Sequence, residues 1–171
     1  SPSRCRLRAN RGELMKISVL MSVRNGSQFL PNSIKDIESN VLENDEILIV
    51  NDGSNDGTGE LLSDWARNNR QVRIITTEAL GFANALNLGI KEASNNWIAR
   101  FDVDDFYTNN RLESQRLFLK PGKVAIFSDY SFFSETQNNL GSIQSGITNN
   151  VTKLSLVSGQ RTAHSSAIFN K

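Results

Sequence analysis

Asp102, Asp104 and Asp105 place three carboxylates within four residues, directly after the mostly apolar stretch Trp97-Ile98-Ala99-Arg100-Phe101. Two carboxylates about 4 Å apart repel by roughly 1 kcal/mol in bulk water and by about 4 kcal/mol at the effective dielectric of a protein surface. A divalent cation relieves that repulsion without protonating the acids, and oxygen-only ligands suit Mg²⁺ or Mn²⁺ far better than Zn²⁺. On an extended backbone Asp102 and Asp104 project to one side and Asp105 to the other. That set is too small for a closed cage, so substrate oxygens, typically phosphates, must complete the shell. The competing interpretation is that these acids cap a helix beginning near Asn109, or simply face solvent.

The elements that would position these acids alternate in type. Ile17 to Val23 is apolar and β-branched and breaks at Arg24-Asn25-Gly26-Ser27, the pattern of a strand running into a loop. Leu30, Ile34, Ile37 and Val41 then recur at helical spacing, with Pro31 near the first turn. Glu46 to Val50 predicts a second buried strand, ending in the turn-forming run Asn51-Asp52-Gly53-Ser54-Asn55-Asp56-Gly57-Thr58. Leu61, Leu62, Trp65 and Ala66 mark a second helix, and Val72 to Thr76 a third strand. Gly81 to Ala93 reads as a loop passing into a short helix, Trp97 to Phe101 as a central strand, Arg111 to Leu119 as a helix stopped by Pro121-Gly122, and Val124 to Phe127 as a further strand. From Ser128 onward, short apolar pieces such as Ile143 and Leu154 to Val157 suggest loops, a small helix and edge strands. Strands alternating with helices predict an α/β layer fold with a largely parallel sheet. Ligands of such sheets sit beyond the carboxyl ends of the strands, where Asp52 and Asp102 both fall.

The chain has 171 residues, enough for one domain with a proper core. Its formal net charge of +1 carries no polyelectrolyte pattern, which argues against a nucleic-acid partner. Arg4, Arg6, Arg8 and Arg11 cluster before Met15 without aromatic interleaving, so residues 1–14 read as a tag or disordered tail and residues 15–171 as the functional domain, with Met15 as a natural start. Cys5 is the only cysteine and lies in that tail, which leaves neither disulfides nor thiolate metal sites and fits a reducing compartment. No apolar run reaches the roughly 18 residues of a membrane span. The expectation is a cytoplasmic protein, with peripheral attachment to the inner face of the cell membrane left open.

Other chemistries fit less well. Asp52 beyond the second strand can accept a hydrogen bond from a base imino N–H or a ribose hydroxyl, or can satisfy its own turn. Asp52, Ser54, Asp56 and Gly57 match the opening positions of an EF-hand calcium loop, but Ser63 stands where a bidentate Glu is needed and a strand precedes the loop where a helix is required. The dinucleotide fingerprint and the Walker loop are both missing. His164, the only histidine, lies in Ala163-His164-Ser165-Ser166 without a nucleophile elbow, so a structural or substrate-contacting role suits it better than hydrolysis.

Four blocks taken together resemble a known family. Ile17 to Asn25, Glu46 to Thr58, Gly81-Phe82-Ala83-Asn84-Ala85-Leu86-Asn87-Leu88-Gly89-Ile90 and Ile98 to Asp105 are similar, in order and spacing, to the inverting family-two glycosyltransferases of the GT-A fold. Arg111-Leu112-Glu113-Ser114-Gln115 and His164 to Phe169 are similar to segments of bacterial polysaccharide-building members. The resemblance implies a GT-A-like, Rossmann-related sheet with helices on both faces, a nucleotide-sugar donor (usually a UDP-sugar), a glycan or lipid-linked saccharide acceptor, and Mn²⁺ or Mg²⁺ as cofactor. It places Ser22, Arg24 and Asn25 beside the nucleotide, Asp52 on the base, and Gly81, Asn84 and Asn87 along the donor pocket. Arg100 falls near the diphosphate or sugar, Asp102 on ribose or sugar, and Asp104 on the metal, with Asp102 and Asp105 as further ligands or support. The family's frequent Pro-x-Tyr-Asn is Ser22-Val23-Arg24-Asn25 in this chain, which removes the aromatic expected to stack on the base.

The family's general base lies in an acidic motif after the segment that resembles His164 to Asn170, and is therefore expected beyond Lys171; neither Asp129 nor Glu135 falls in the matching block. An acceptor-side portion is expected to lie outside these residues. The alternatives are a catalytically silent nucleotide-sugar-binding module and a sugar-phosphate nucleotidyltransferase. The latter needs a Gly-rich, Arg-bearing loop after the first strand, for which Arg24-Asn25-Gly26 is a poor match. Deleting residues 1–14 is expected to leave both the melting temperature and ligand binding intact, and a large fall in melting temperature would refute the assignment of that segment as a tail.

Overall fold

The computed structural model describes residues 15–122, 125–133, 139–143 and 164–171. The expected tail 1–14, Val124, Glu135 and Leu154 to Val157 lie outside these residues. The chain runs β1 (Ile17–Val23), α1 (Leu30–Asn40), β2 (Glu46–Asp52), α2 (Thr58–Asn68), β3 (Val72–Thr77), α3 (Phe82–Glu92), β4 (Trp97–Arg100), α4 (Arg111–Arg116), β5 (Ala125–Phe127), β6 (Tyr130–Phe133), β7 (Asn139–Ile143), a short 3₁₀ turn at His164–Ser166, and β8 (Ala167–Asn170). Six strands form one sheet in the order β3-β2-β1-β4-β8-β5. β3, β2, β1 and β4 are parallel neighbours, and β8 runs antiparallel to both β4 and β5. β6 and β7 make a separate antiparallel pair.

Every residue of β1 is buried, and β2 is buried from Ile47 onward, as expected of parallel strands covered on both faces. The strand period of two sorts their side chains between two layers. Ile17, Val19, Met21, Val23, Ile47 and Ile49 pack with Leu30, Ile37, Leu62, Trp65 and Leu112 of α1, α2 and α4. Leu20, Leu48, Val50 and Ile98 pack on the other side with Ala85 of α3 and Ala93 just beyond it, flanked by Leu86 and Ile90. The largely parallel sheet predicted from the alternation of strands and helices is thus present, with helices on both of its faces as the resemblance implies. Among the described residues no helix is long and apolar enough to cross a membrane.

Three segments depart from expectation. The central strand ends at Arg100, although Phe101 N–H still donates to Leu20 O at 3.0 Å. α4 ends at Arg116 and not at Leu119; the chain then tightens, with Phe118 N–H on Gln115 O and Leu119 N–H on Arg116 O. β8, which the sequence marks only by the resemblance of His164 to Phe169, inserts between β4 and β5.

α4 is held by buried polar contacts more than by its own length. Arg116 pairs with Asp45 at 2.5 Å where both side chains are almost wholly buried, and also donates to Met15 O. Asp45 in turn accepts from Ile17 N–H at 2.9 Å and Leu42 N–H at 2.8 Å, so this one carboxylate ties the start of β1 to α4 and to the turn after α1. Gly89 marks the tightest helix-to-sheet approach: a methyl group there would run into the Leu20 side chain and come within 3.2 Å of Val50 Cγ2. Gly89→Ala would gain about 1 kcal/mol of helix propensity but is expected to lose about 1–3 kcal/mol net to overpacking. Urea unfolding measures this, and an equal or greater stability for the variant would contradict the packing.

Candidate functional site

The carboxyl ends of β2, β1 and β4 stand side by side, so the loops after them share one rim of the sheet. The first two loops are stitched together through backbone and side-chain groups. Asn25 N–H donates to Ser54 Oγ at 3.0 Å, and Asn25 Oδ1 accepts from Asn55 N–H at 2.9 Å. Gly26 N–H donates to Thr58 Oγ1 at 3.0 Å, and Ser27 N–H to Asp56 Oδ2 at 3.1 Å. The Asp56 carboxylate also accepts from Thr58 N–H at the start of α2. Hydrogen bonds from Thr58 and Ser27 outweigh the opposing effect of burial and hold this carboxyl far below the usual range. Asp56, one of the apparent calcium-loop positions, is therefore spent on a helix start.

Asp52 ends β2 and is 2% exposed. Its Oδ1 accepts from Thr77 Oγ1 at 2.7 Å and Leu80 N–H at 2.6 Å, and its Oδ2 from Gly81 N–H at 2.9 Å. Burial pushes this carboxyl up, but those hydrogen bonds and the Arg24 charge outweigh it, so it titrates below the usual range. The turn around it requires glycine: Gly53 has φ +68° and lies so close to the next loop that a Cβ would stand 2.7 Å from Ala79 N. Gly81, at φ +87°, redirects the chain into α3. Ser22 is buried near the end of β1, while Arg24 and Asn25 are exposed just beyond it. Asn84 is exposed on the first turn of α3, its amide donating to Leu80 O at 2.9 Å, and Asn87 is exposed one turn on.

At the end of β4, Arg100 is buried and pairs with Asp102, with its guanidinium 5.3 Å from the centre of the Phe82 ring. Arg100 Nε is buried with no hydrogen-bond partner among the described residues. The acids that follow do not continue the strand. The backbone turns at 103–104, and Asp105 N–H approaches Asp102 O at 3.3 Å. The extended arrangement expected for Asp102, Asp104 and Asp105 is thus replaced by a turn, and among the described residues no three of His, Cys, Asp and Glu gather as a metal-holding group. Asp102 is half-buried; burial raises its carboxyl above the usual range, Arg100 opposes this, and Asp105 and Asp104 add repulsion. Asp104 and Asp105 are exposed.

The acidic turn is moored from beneath. Ser33 Oγ of α1 donates to Val103 O at 2.5 Å, Tyr107 N–H donates to Asp36 Oδ2 at 2.9 Å, and Asn40 Nδ2 donates to Thr108 O at 3.0 Å. Tyr107 Oη accepts from Asp102 N–H at 2.7 Å and reaches Asp105 Oδ2 at 3.3 Å. Sequence reasoning missed Phe82, Tyr107, Thr77 and the α1 moorings. Their partners lie up to 71 residues away in the chain, and no local pattern marks such pairs. His164 begins the turn that leads into β8.

The site therefore offers hard oxygen donors on an exposed turn, a buried cation with a spare donor, and a second loop carrying an ordered carboxylate. Comparison with known proteins agrees with this architecture. In sequence, the chain is 34% identical over 133 residues to an uncharacterised glycosyltransferase of Rickettsia bellii, covering 77% of this chain and 19% of the relative. It is 37% identical over 95 residues to the poly-beta-1,6-N-acetyl-D-glucosamine synthase of Staphylococcus aureus, covering 56% of this chain and 23% of the relative. The chain thus spans about a fifth of the length of these curated relatives. In structure, it superimposes on a mannosyltransferase of Pyrobaculum calidifontis solved with GDP-Man and Mn²⁺, at TM-score 0.60 and 19% identity, over 66% of this chain and 34% of that one. Residues 1–349 of S. aureus TarS with UDP-GlcNAc align at TM-score 0.55 and 19% identity, over 61% of this chain and 31% of that one. These neighbours share the GT-A fold. The model of the Glycosyl transferase family 2 matches residues 18–166, and the chain belongs to that family.

Proposed function

We propose that this domain binds a nucleotide-diphosphate sugar, with a UDP-sugar as the preferred donor, and serves the inverting transfer of its sugar to a glycan or lipid-linked saccharide. The observation that carries this reading is the meeting, on one sheet rim, of the Asp52 loop and the acidic turn after β4, with the orphaned Arg100 Nε between α3 and that turn. Two structural neighbours were solved with nucleotide sugars, one of them with Mn²⁺.

Asp52 has carboxylate oxygens with about four lone-pair sites between them. Thr77, Leu80 and Gly81 occupy three, which leaves one on Oδ2 for the imino N–H of a base. Ser22 near the end of β1 and Arg24 and Asn25 just beyond it flank that base, and Gly81 at the entry to α3 with Asn84 and Asn87 on the helix wall the donor pocket. The free N–H groups and positive end of α3 favour a diphosphate nearby. Arg100 offers it a charge-assisted hydrogen bond of the kind that strengthens as oxyanion charge develops.

The turn gathers no three-carboxylate cage, but its exposed Asp104 and Asp105 are hard oxygen donors of the kind a divalent ion takes when substrate oxygens supply the rest. Asp104 would hold it with help from Asp102 and Asp105, and the small number of protein oxygens matches a shell finished by diphosphate oxygens. Mn²⁺ or Mg²⁺ bound there supplies neutralisation of the leaving diphosphate. In the displacement itself, the acceptor oxygen forms a bond to the anomeric carbon as the bond to the donor phosphate oxygen breaks. The acceptor proton passes to a carboxylate base.

Asp104→Ala is expected to abolish metal-dependent UDP binding in calorimetry, and an unchanged affinity would remove the core of the proposal. Asp52→Asn is expected to destabilise the fold by about 1–3 kcal/mol near neutral pH, because a charged acceptor serving three donors is weakened. The folded-state pKa of Asp52 is lowered, so its contribution is present above the unfolded carboxyl pKa and lost as pH falls through the folded value. Urea midpoints for wild type and Asp52→Asn should therefore converge on acidification; a gap that stays constant or widens would contradict this role.

A further inference from the structure

Arg111 stands in the interior without a carboxylate. It is 6% exposed, opens the short helix α4, and forms no ion pair among the described residues. Its guanidinium lies 4.5 Å from the centre of the Phe101 ring and 4.9 Å from that of Tyr107, two rings whose centres are 4.2 Å apart. Each nitrogen of the fork is used. Nη1 donates to Arg100 O at 2.9 Å, Nη2 to Ala167 O at 3.3 Å and Nε to Gln115 Oε1 at 3.1 Å. Gln115 passes the contact on, its Nε2 donating to Ser166 O at 2.8 Å. One side chain thereby joins the end of β4 to the start of β8 and fixes the plane of Tyr107.

Tyr107 carries that constraint to the acids, since its hydroxyl accepts from Asp102 N–H and contacts Asp105 Oδ2. We propose that Arg111 is the positioning residue of the acidic turn: stacked on Phe101 and Tyr107 and forked between β4 and β8, it holds the turn that carries Asp102, Asp104 and Asp105 in place for a nucleotide-bound divalent cation. This rests on the donor-binding function proposed above. Burial pushes the Arg111 pKa down only to about 10, so the group remains a cation at neutral pH. Lysine would keep the charge but not the planar fork or the stacking.

Charge and geometry predict opposite results on removal of this side chain. If Arg111 acted on the metal only through its charge, deleting a cation beneath the acids would tighten cation binding. If it acts through position, binding weakens. Calorimetry of the full chain with UDP alone, with Mn²⁺ alone and with both separates these cases, supported by the electron paramagnetic resonance signal of bound Mn²⁺. For a folded Arg111→Met variant, the expected result is Mn²⁺ affinity in the presence of UDP weaker by about tenfold, with metal-free UDP affinity unchanged; Arg111→Lys should remain weakened as well. Unchanged or tighter Mn²⁺ binding in Arg111→Met, equal loss of metal-free UDP binding, or full recovery in Arg111→Lys would overturn the proposal. Should Arg111→Met fail to fold, Tyr107→Phe keeps the ring and removes the hydroxyl; it is expected to weaken Mn²⁺ binding in the presence of UDP, and wild-type affinity would overturn the proposal. Absence of Mn²⁺-dependent UDP binding in the wild type would instead refute the functional reading on which the inference stands.

Discussion

Carboxylates crowded at the end of a buried strand repel one another, and the region after β4 is organised around containing that repulsion. The acids are not arrayed as a ready cage. Asp102 is drawn back onto Arg100, while Asp104 and Asp105 face outward on a turn whose backbone is tied down by Ser33, Tyr107 and Asn40. A turn fixed in this way keeps the Asp104 and Asp105 carboxylates exposed to solvent, with Asp105 also accepting from Tyr107 Oη. The cost of the arrangement appears in the raised pKa of Asp102, where burial and the neighbouring acids oppose ionisation.

A similar economy governs the other half of the rim. Asn25, Gly26 and Ser27 donate to, or accept from, residues of the loop after β2, so two loops that begin on separate strands behave as one wall. Asp52 closes that wall against the start of α3. Carboxylates that look like ligands in the linear chain thus divide by task. Asp56 and Asp52 direct most of their acceptor capacity to backbone N–H groups, which orders the rim, whereas Asp104 is exposed and has no hydrogen-bond partner among the described residues. The division follows from how many N–H groups each loop would otherwise leave unsatisfied.

Much of the fold could be read directly from residue order. All four strands of the parallel run and the three helices between them appear where short apolar runs and helical spacing between turn-forming residues place them, because these patterns are local to each segment. The ends were less legible. α4 stops early because Arg111, Gln115 and Arg116 direct their polar groups to distant carbonyls and to Asp45, and no helical period encodes those partners. β8 is four residues of ordinary composition, and only the gap between β4 and β5 makes it a strand.

The site divides along the same line. Residue order alone determined that acids follow two buried strands and that a parallel sheet would bring both sets to one rim, since strand direction carries both; the four residue blocks carry the resemblance to family-two glycosyltransferases. Tertiary structure decided which acids are free and which are occupied, that the turn at 103–104 replaces an extended strand end, and that Arg100, Tyr107 and Arg111 lie beneath it. Those outcomes depend on rings, donors and carbonyl acceptors from several elements, the farthest being Ala167 O of β8, more than fifty residues along the chain from Arg111. An aspartate's role is set by the groups it finds there, and its own sequence neighbourhood does not name them.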